Sequence, residues 1–329
     1  MRRQIWNLGL LCLLLVQWNC VPEAPHSNPL DPIHKTYSNG IMTINGQVLK
    51  KNEPHLPLDS CLILLSPVQQ FDTSDANGLF CFTNLYAGDY RLIISGEGFA
   101  SDTFQLHTDS LDNSQLHFYL NAFPFIQSFR IYSEFIDQWW PDPSYVVNCA
   151  LTAGDPDGIS DLSEIRLSIP EVNIERIFET TLKPDSFSLA LTTEDFPNNN
   201  VFELIGKAVF IEIIDKSNER IKEGPYHLIR VIETSPDSLT PTGLQSVSAR
   251  PFFHWKAYSA SFSFNYEISV FFISSGIPLL IYSAANIPPT QTQYEYPDSL
   301  QSGTYFWTVG VRDELGNFSR SKEAAFLVP

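Results

Sequence analysis

From residue 40 onward the chain is written in short runs whose apolar residues recur at every second position, each closed by a cluster of Gly, Asn, Asp, Pro or Ser. Residues 41–49, 78–85, 145–153 and 162–169 are examples. A period of two turns successive side chains to opposite faces of a strand, so that one face can be buried while the other meets water. Many such strands in succession bury their apolar faces by stacking two sheets against each other. The spacing therefore predicts an all-β chain. The 24 Phe and 13 Tyr against 2 Met agree with it, because aromatic side chains suit a pleated, half-buried surface. At 329 residues there is room for two or three sandwiches of ~100 residues each. We expect three tandem β-sandwich domains, over residues 40–122, 123–233 and 234–329, following a signal peptide and a proline-rich tether.

The signal peptide occupies residues 1–20. Arg2 and Arg3 precede an apolar run over residues 5–16, and Cys20 follows four residues later. A run of this length is too short to span a bilayer but suits a secretory signal. Its end resembles a bacterial lipoprotein signal, which implies that Cys20 becomes a lipid-bearing first residue. Gln17, Trp18 and Asn19 stand where that signal has small residues, so a cleaved signal with an incidental Cys20 is the alternative. Pro22, Pro25, Pro29 and Pro32 then stiffen residues 21–39 into an extended tether. The expected localisation is the cell envelope, on the outer membrane through a lipid anchor.

Net charge constrains the partners. At −17 the chain repels phosphate backbones, which excludes nucleic acid as an expected ligand. Cys61, Cys81 and Cys149 remain beyond the signal, an odd number without zinc-site spacing. Cys61 and Cys81 share a domain and could pair, but Cys81 lies between Phe80 and Phe82 and should face away from both rings.

Resemblances sharpen the domain reading. Ile44-Asn45-Gly46-Gln47-Val48, Pro57-Leu58, Ser74-Asp75-Ala76-Asn77-Gly78-Leu79-Phe80, Phe82-Thr83-Asn84-Leu85, Gly88-Asp89-Tyr90 and Gly98-Phe99 follow in the order and spacing of a carboxypeptidase regulatory-like domain. That resemblance implies a small transthyretin-like sandwich without catalytic residues. Independently of it, Asn77-Gly78 should supply the positive φ of a tight hairpin, and Phe80 and Phe82 should share a buried face. Residues 123–233, with strands expected at 145–153, 162–169, 187–191, 202–214 and 226–232, resemble an immunoglobulin-like module. Residues 234–329 are similar to fibronectin type III domains through Pro251-Phe252-Phe253-His254-Trp255, Tyr266-Glu267-Ile268-Ser269-Val270 and Gly303-Thr304-Tyr305-Phe306-Trp307. That resemblance implies a buried Trp255 and a Tyr305 whose hydroxyl bonds nearby backbone. Val311-Arg312-Asp313-Glu314-Leu315-Gly316-Asn317 also echoes Ile213-Ile214-Asp215-Lys216-Ser217-Asn218, as if two sandwiches shared one hairpin corner.

Reactive chemistry is hard to find. The seven histidines form no HExxH motif, and there is no GxSxG, P-loop or strand-borne GxGxxG, so no catalytic residue is expected. Asp155, Asp157 and Asp161 around Gly158 could hold calcium, because hard cations take several carboxylate oxygens around a Gly-permitted turn. A turn stabilised by its own Asp and Gly residues is the simpler reading, and no other cofactor is expected. Trp139 and Trp140 adjoin in an extended segment, where neighbours point to opposite sides, so both cannot enter one core. An exposed indole there suits sugar stacking or partner docking, whereas packing against a neighbouring domain is the alternative. The function these readings favour is a non-enzymatic structural or protein-binding envelope lipoprotein. A polysaccharide-binding lipoprotein of a glycan-uptake system and an accessory chain of an exported hydrolase are the alternatives.

Overall fold

The computed structural model describes residues 42–108 and 115–329, so Cys20, the signal and the tether lie outside the described residues. The described residues form strands and short 3-10 turns with no α-helix, and no helix among them is long and apolar enough to cross a membrane. The chain divides into two compact units, Met1–Ala122 and Phe123–Pro329.

The first unit holds β1 (Met42–Lys50), β2 (Leu62–Ser66), β3 (Gln70–Thr73), β4 (Leu79–Leu85), β5 (Gly88–Ser95), β6 (Asp102–Thr108) and β7 (Leu116–Leu120). They form two sheets, ordered β4-β1-β7 and β3-β2-β5-β6. Alternate residues Ile44, Val48, Ile63, Leu65, Phe80, Phe82, Leu92 and Ile94 supply the core between them. Gly46 lies opposite Phe80, and a Cβ there would come within 2.2 Å of the Phe80 ring, so the ring occupies the place of the missing side chain. Residues 74–78 are not the hairpin expected from Asn77-Gly78, because β3 and β4 belong to different sheets. They form a corner instead. Asp75 Oδ1 accepts the N–H groups of Asn77 (2.8 Å) and Leu79 (2.9 Å), while Gly78 takes φ +74°. Local sequence specified the turn, but the partner of the next strand was a long-range matter.

In the second unit, β8 (Phe125–Ile136), β9 (Ser144–Gly154), β10 (Leu162–Ile169), β11 (Ile174–Ile177), β12 (Glu179–Thr180), β13 (Ser186–Leu191), β14 (Val209–Asp215) and β15 (Arg220–Tyr226) come first. Their sheets run β12-β13-β9-β8 and β11-β10-β14-β15. First, second, fifth and fourth strands on one sheet, with third, sixth and seventh on the other, is the immunoglobulin arrangement with one extra strand, β11. Two strand expectations fail in part: the strand expected at 202–214 begins only at Val209, and the one expected at 226–232 is absent beyond Tyr226, the strand there being β15 over Arg220–Tyr226. Residues 201–204 form a 3-10 turn that buries Val201 and Leu204 before β14 begins, and residues 227–232 run on past β15 with only an isolated bridge from Leu228 to Ile205. Apolar residues in a buried loop produce the same pattern as a strand.

The remaining strands are β16 (Gln245–Ser246), β17 (Phe252–His254), β18 (Phe264–Ser274), β19 (Ile277–Ile287), β20 (Gln293–Glu295), β21 (Gly303–Asp313), β22 (Phe318–Arg320) and β23 (Ala324–Val328). The pair β17-β20 faces the sheet containing β19, β18, β21 and β23. Phe253, Trp255, Tyr305, Trp307 and Val309 all enter this core, with the rings of Phe253 and Trp307 tilted against each other at 4.6 Å. Tyr305 donates its hydroxyl to Gln301 O at 2.8 Å, and Tyr90 in the first unit repeats the device with Tyr86 O at 2.7 Å.

The hydrophobic cores of these two sandwiches part between Val231 and Ile232, beside the expected 233/234 boundary. Their sheets do not part. β8 pairs in parallel with β22, matching Phe318 to Glu134 and Arg320 to Ile136, so one continuous sheet runs through both. A buried polar clasp lies beside that seam. Asn317 Oδ1 accepts the Ser133 N–H at 2.8 Å, Asn317 Nδ2 donates to Asp313 Oδ2 at 2.9 Å, and Arg230 pairs with the same carboxylate at 2.8 Å.

Candidate functional site

Three features of the second unit can carry function, and the first is the tryptophan pair. Residues 137–143 leave the end of β8 with a cis Trp140–Pro141 bond, and both indoles are exposed, Trp139 by 69% and Trp140 by 88%. Neither is packed into a core. Trp139 is nevertheless held in place: its Nε1 donates to Glu323 O at 2.9 Å, its backbone N–H meets Glu323 Oε2 at 3.2 Å, and Lys322 Nζ sits 4.3 Å from the ring centroid. One ring face is thus taken by a cation. The ring borders an open cavity of about 310 Å³ that also meets Asp137, Ser235, Asp237, Lys322 and Glu323 at the junction of the two sandwiches. Ser235 Oγ donates to Asp137 Oδ2 at 2.7 Å, which fixes one wall of it. A fixed indole beside carboxylates and one ammonium offers a stacking surface with hydrogen-bond acceptors.

The acidic loop is the second feature. It crosses from β9 in one sheet to β10 in the other, and Asp155, Asp157 and Asp161 are only 8%, 9% and 7% exposed. Each brings one carboxylate oxygen within 4.8 Å of the other two. Asp155 Oδ1 accepts the Asp157 N–H at 2.7 Å, which is the self-stabilised turn expected of the sequence. Asp155 Oδ2 and Asp161 Oδ2, however, are buried without a hydrogen-bond partner. Burial is the main reason the Asp155 carboxyl is pushed up to about 6, and the charges of Asp157, Asp161 and Asp215 raise it further against the Asp157 N–H.

A third feature escaped the sequence reading. β18 and β19 form a hairpin through Ser275 and Gly276, both at positive φ, and β19 is an outer edge of the continuous sheet. Ile277, Leu279, Leu280 and Ile281 on that edge are exposed. The signal was present in the run Ile277-Pro278-Leu279-Leu280-Ile281, which lacks alternation and so cannot hide its apolar side chains on one face.

Cys61 and Cys149 are buried, Cys81 is exposed as its place between Phe80 and Phe82 required, and all three are free. Burial pushes the Cys149 thiol up to about 12.

No protein-family profile matches the chain, and no curated protein matches it. Solved structures do. The chicken CNTN1 FN1-FN3 domains are 8% identical, with 82% of this chain and 90% of that one covered at a TM-score of 0.33. The fibronectin(III)-like modules of Clostridium thermocellum CbhA are 13% identical, covering 62% and 92% at a TM-score of 0.29. Dimeric latent PorU from Porphyromonas gingivalis is 8% identical, covering 82% of this chain and 29% of that one at a TM-score of 0.24. The assignment of immunoglobulin-like and fibronectin III-like sandwiches rests on the sheet topology described above.

Of the residues expected to act, Asp155, Asp157 and Asp161 are brought together, and Asp215 at the end of β14 joins them as a fourth charge. Trp139 and Trp140 stand apart from that cluster, at the other end of β8 from Phe125, which pairs with Gly154 next to Asp155. The Arg230, Asp313 and Asn317 clasp was announced only by the echo between residues 213–218 and 311–317. That echo is a shared corner: Asp215 Oδ1 accepts the Glu219 N–H and Asp313 Oδ1 the Asn317 N–H, each at 2.8 Å.

Proposed function

We propose that this chain is a non-enzymatic, protein-binding module of the bacterial cell envelope, exported by its signal peptide and held on the outer membrane by lipid on Cys20. The observation that carries the binding role is the exposed aliphatic edge of β19. A soluble β-protein ordinarily blunts such an edge with charge, proline or cover, because unpaired backbone groups beside apolar side chains recruit another strand. Here only Pro278 interrupts it, and Ile277, Leu279, Leu280 and Ile281 stay open. An extended segment of a partner protein would add a strand to β19 and cover those side chains. The reading of residues 40–122 as a carboxypeptidase regulatory-like domain is supported by its two-sheet sandwich and adds no catalytic group.

A photo-crosslinking amino acid in place of Leu280, activated in intact cells, should give one discrete protein adduct. Ile281→Lys in the same chain should abolish it. Crosslinking to no protein, or to many alike with Ile281→Lys making no difference, would remove the edge from consideration. The anchor is tested separately: Cys20→Ser should release the chain from the membrane fraction and end fatty-acid labelling.

The exposed Trp139 and Trp140 favour a second reading, a polysaccharide-binding lipoprotein. Soluble envelope polysaccharide should then change the tryptophan fluorescence, and Trp140→Ala should remove most of that change.

A further inference from the structure

We propose that Asp155, Asp157 and Asp161 form a calcium site that clamps the β9–β10 crossover to the β14–β15 corner, with Asp215 as the neighbouring charge. Each of the three carboxylates brings an oxygen to within 4.8 Å of the others. Three oxygens that close lie within about 2.8 Å of a common point, so a shift of a few tenths of an ångström brings them to the roughly 2.3–2.6 Å of a calcium shell. The independent observation lies in the oxygens themselves. Asp155 Oδ2 and Asp161 Oδ2 belong to side chains more than nine-tenths buried, and neither has a hydrogen-bond partner. Buried carboxylate oxygens are normally satisfied, because an unmet charge in a poorly solvated site is strongly unfavourable.

The third sandwich shows what the same corner does without a metal. There Asp313, the counterpart of Asp215, faces the Arg230 guanidinium at 2.8 Å. In the second sandwich Asp215 lies close enough to Asp155 for the two charges to repel.

Donor chemistry selects the ion. The set is oxygen only, with no His or Cys among the grouped residues, which disfavours zinc and copper. The loop supplies irregularly placed carboxylates, and calcium tolerates irregular geometry where magnesium demands a near-ideal octahedron and keeps its waters. The remaining positions of a calcium shell can be filled by water or carbonyl oxygen. Asp161 O already accepts the Lys216 N–H at 2.8 Å, so ordering the loop also orders the β14–β15 corner. The clamp therefore joins the two sheets of the sandwich at the end where the chain enters β8.

The test is calorimetric titration of CaCl2 into the chelator-stripped full chain, with thermal unfolding in EDTA, in CaCl2 and in MgCl2. One calcium per chain should bind. At free calcium about a hundredfold above its dissociation constant, the folded-to-unfolded ratio should rise about 100-fold. Asp161→Asn and Asp155→Asn should each weaken binding at least about tenfold. In EDTA both should be as stable as the unmutated chain or more so, because each removes a repelling charge; a merely structural aspartate would instead lose stability there. No heat and no shift at about 1 mM calcium, an equal response to magnesium, or unchanged binding in both variants would each overturn the site.

Discussion

Asn317→Ala is the most informative single change, because it removes one buried side chain from the clasp between the two sandwiches of the second unit and leaves both hydrophobic cores untouched. Asn317 is 1% exposed and Ser133 fully buried, so water does not replace what is lost. The Ser133 N–H would lose its acceptor at 2.8 Å, and an unmet buried donor costs about 1–3 kcal/mol. The bond from Asn317 Nδ2 to the Asp313 carboxylate, 2.9 Å, is charge-assisted, and its loss adds about 1.5–3 kcal/mol. Arg230 and the backbone donors still hold Asp313, so its charge is not left alone and the total should be about 3–5 kcal/mol. Beyond residue 20 the tryptophans, Trp139, Trp140, Trp255 and Trp307, all lie in the second unit, so in a chain that starts at residue 21 fluorescence reports that unit selectively. With a urea slope of about 2–3 kcal/mol/M for such a unit, the midpoint should fall by about 1–2.5 M. Trp255 and Trp307 report the third sandwich, and their transition should now precede the far-UV transition of the second. A midpoint shift below about 0.3 M would refute the claim that this clasp couples the sandwiches.

The two buried indoles of the third sandwich should respond differently to Trp→Phe. Trp307 Nε1 donates to Pro241 O at 2.8 Å whereas Trp255 Nε1 is buried without a partner, so Trp307→Phe should be the more destabilising by about 1–2 kcal/mol in urea unfolding. Trp307→Ala should cost about 3–5 kcal/mol and Trp139→Ala less than about 1, and equal losses would place Trp139 in the core after all. Gly46→Ala should destabilise the first unit, because its Cβ would lie 2.2 Å from the Phe80 ring; an unchanged melting curve would show that the ring moves aside freely. Iodoacetamide at pH 8 should modify Cys81 in the native chain and spare Cys149, whose thiol is buried and pushed up to about 12. Because that thiol is nearly all protonated below its raised value, Cys149 labelling should increase only on unfolding or as pH approaches it.

Much of this protein was legible in its residues because the relevant physics is local. Period-two alternation put Phe80 with Phe82, Phe253 with Trp255, and Tyr305 with Trp307 on common faces, and each pair is buried. Cys81 was turned outward by the same rule. The echoed corners at Asp215 and Asp313 were visible as strings, because a carboxylate that accepts an N–H four residues on needs nothing from the rest of the fold. The acidic triad was visible as a spacing. Its burial was not, since exposure depends on which strands cross above the loop, and neither was the arrival of Asp215 from β14. The hairpin expected at Asn77-Gly78 became a corner between sheets, because a turn sets the local chain direction but not the strand it pairs with. The joining of two sandwiches into one sheet lay furthest from view. It rests on β8 meeting β22 and on Ser133 meeting Asn317 across 184 residues of sequence. Backbone pairing carries no residue signature, and a single buried asparagine looks like any other until its partners close around it. Sequence determined most of the strands and the faces they bury; tertiary structure decided the edges, because an edge is defined only by which strand lies beside it.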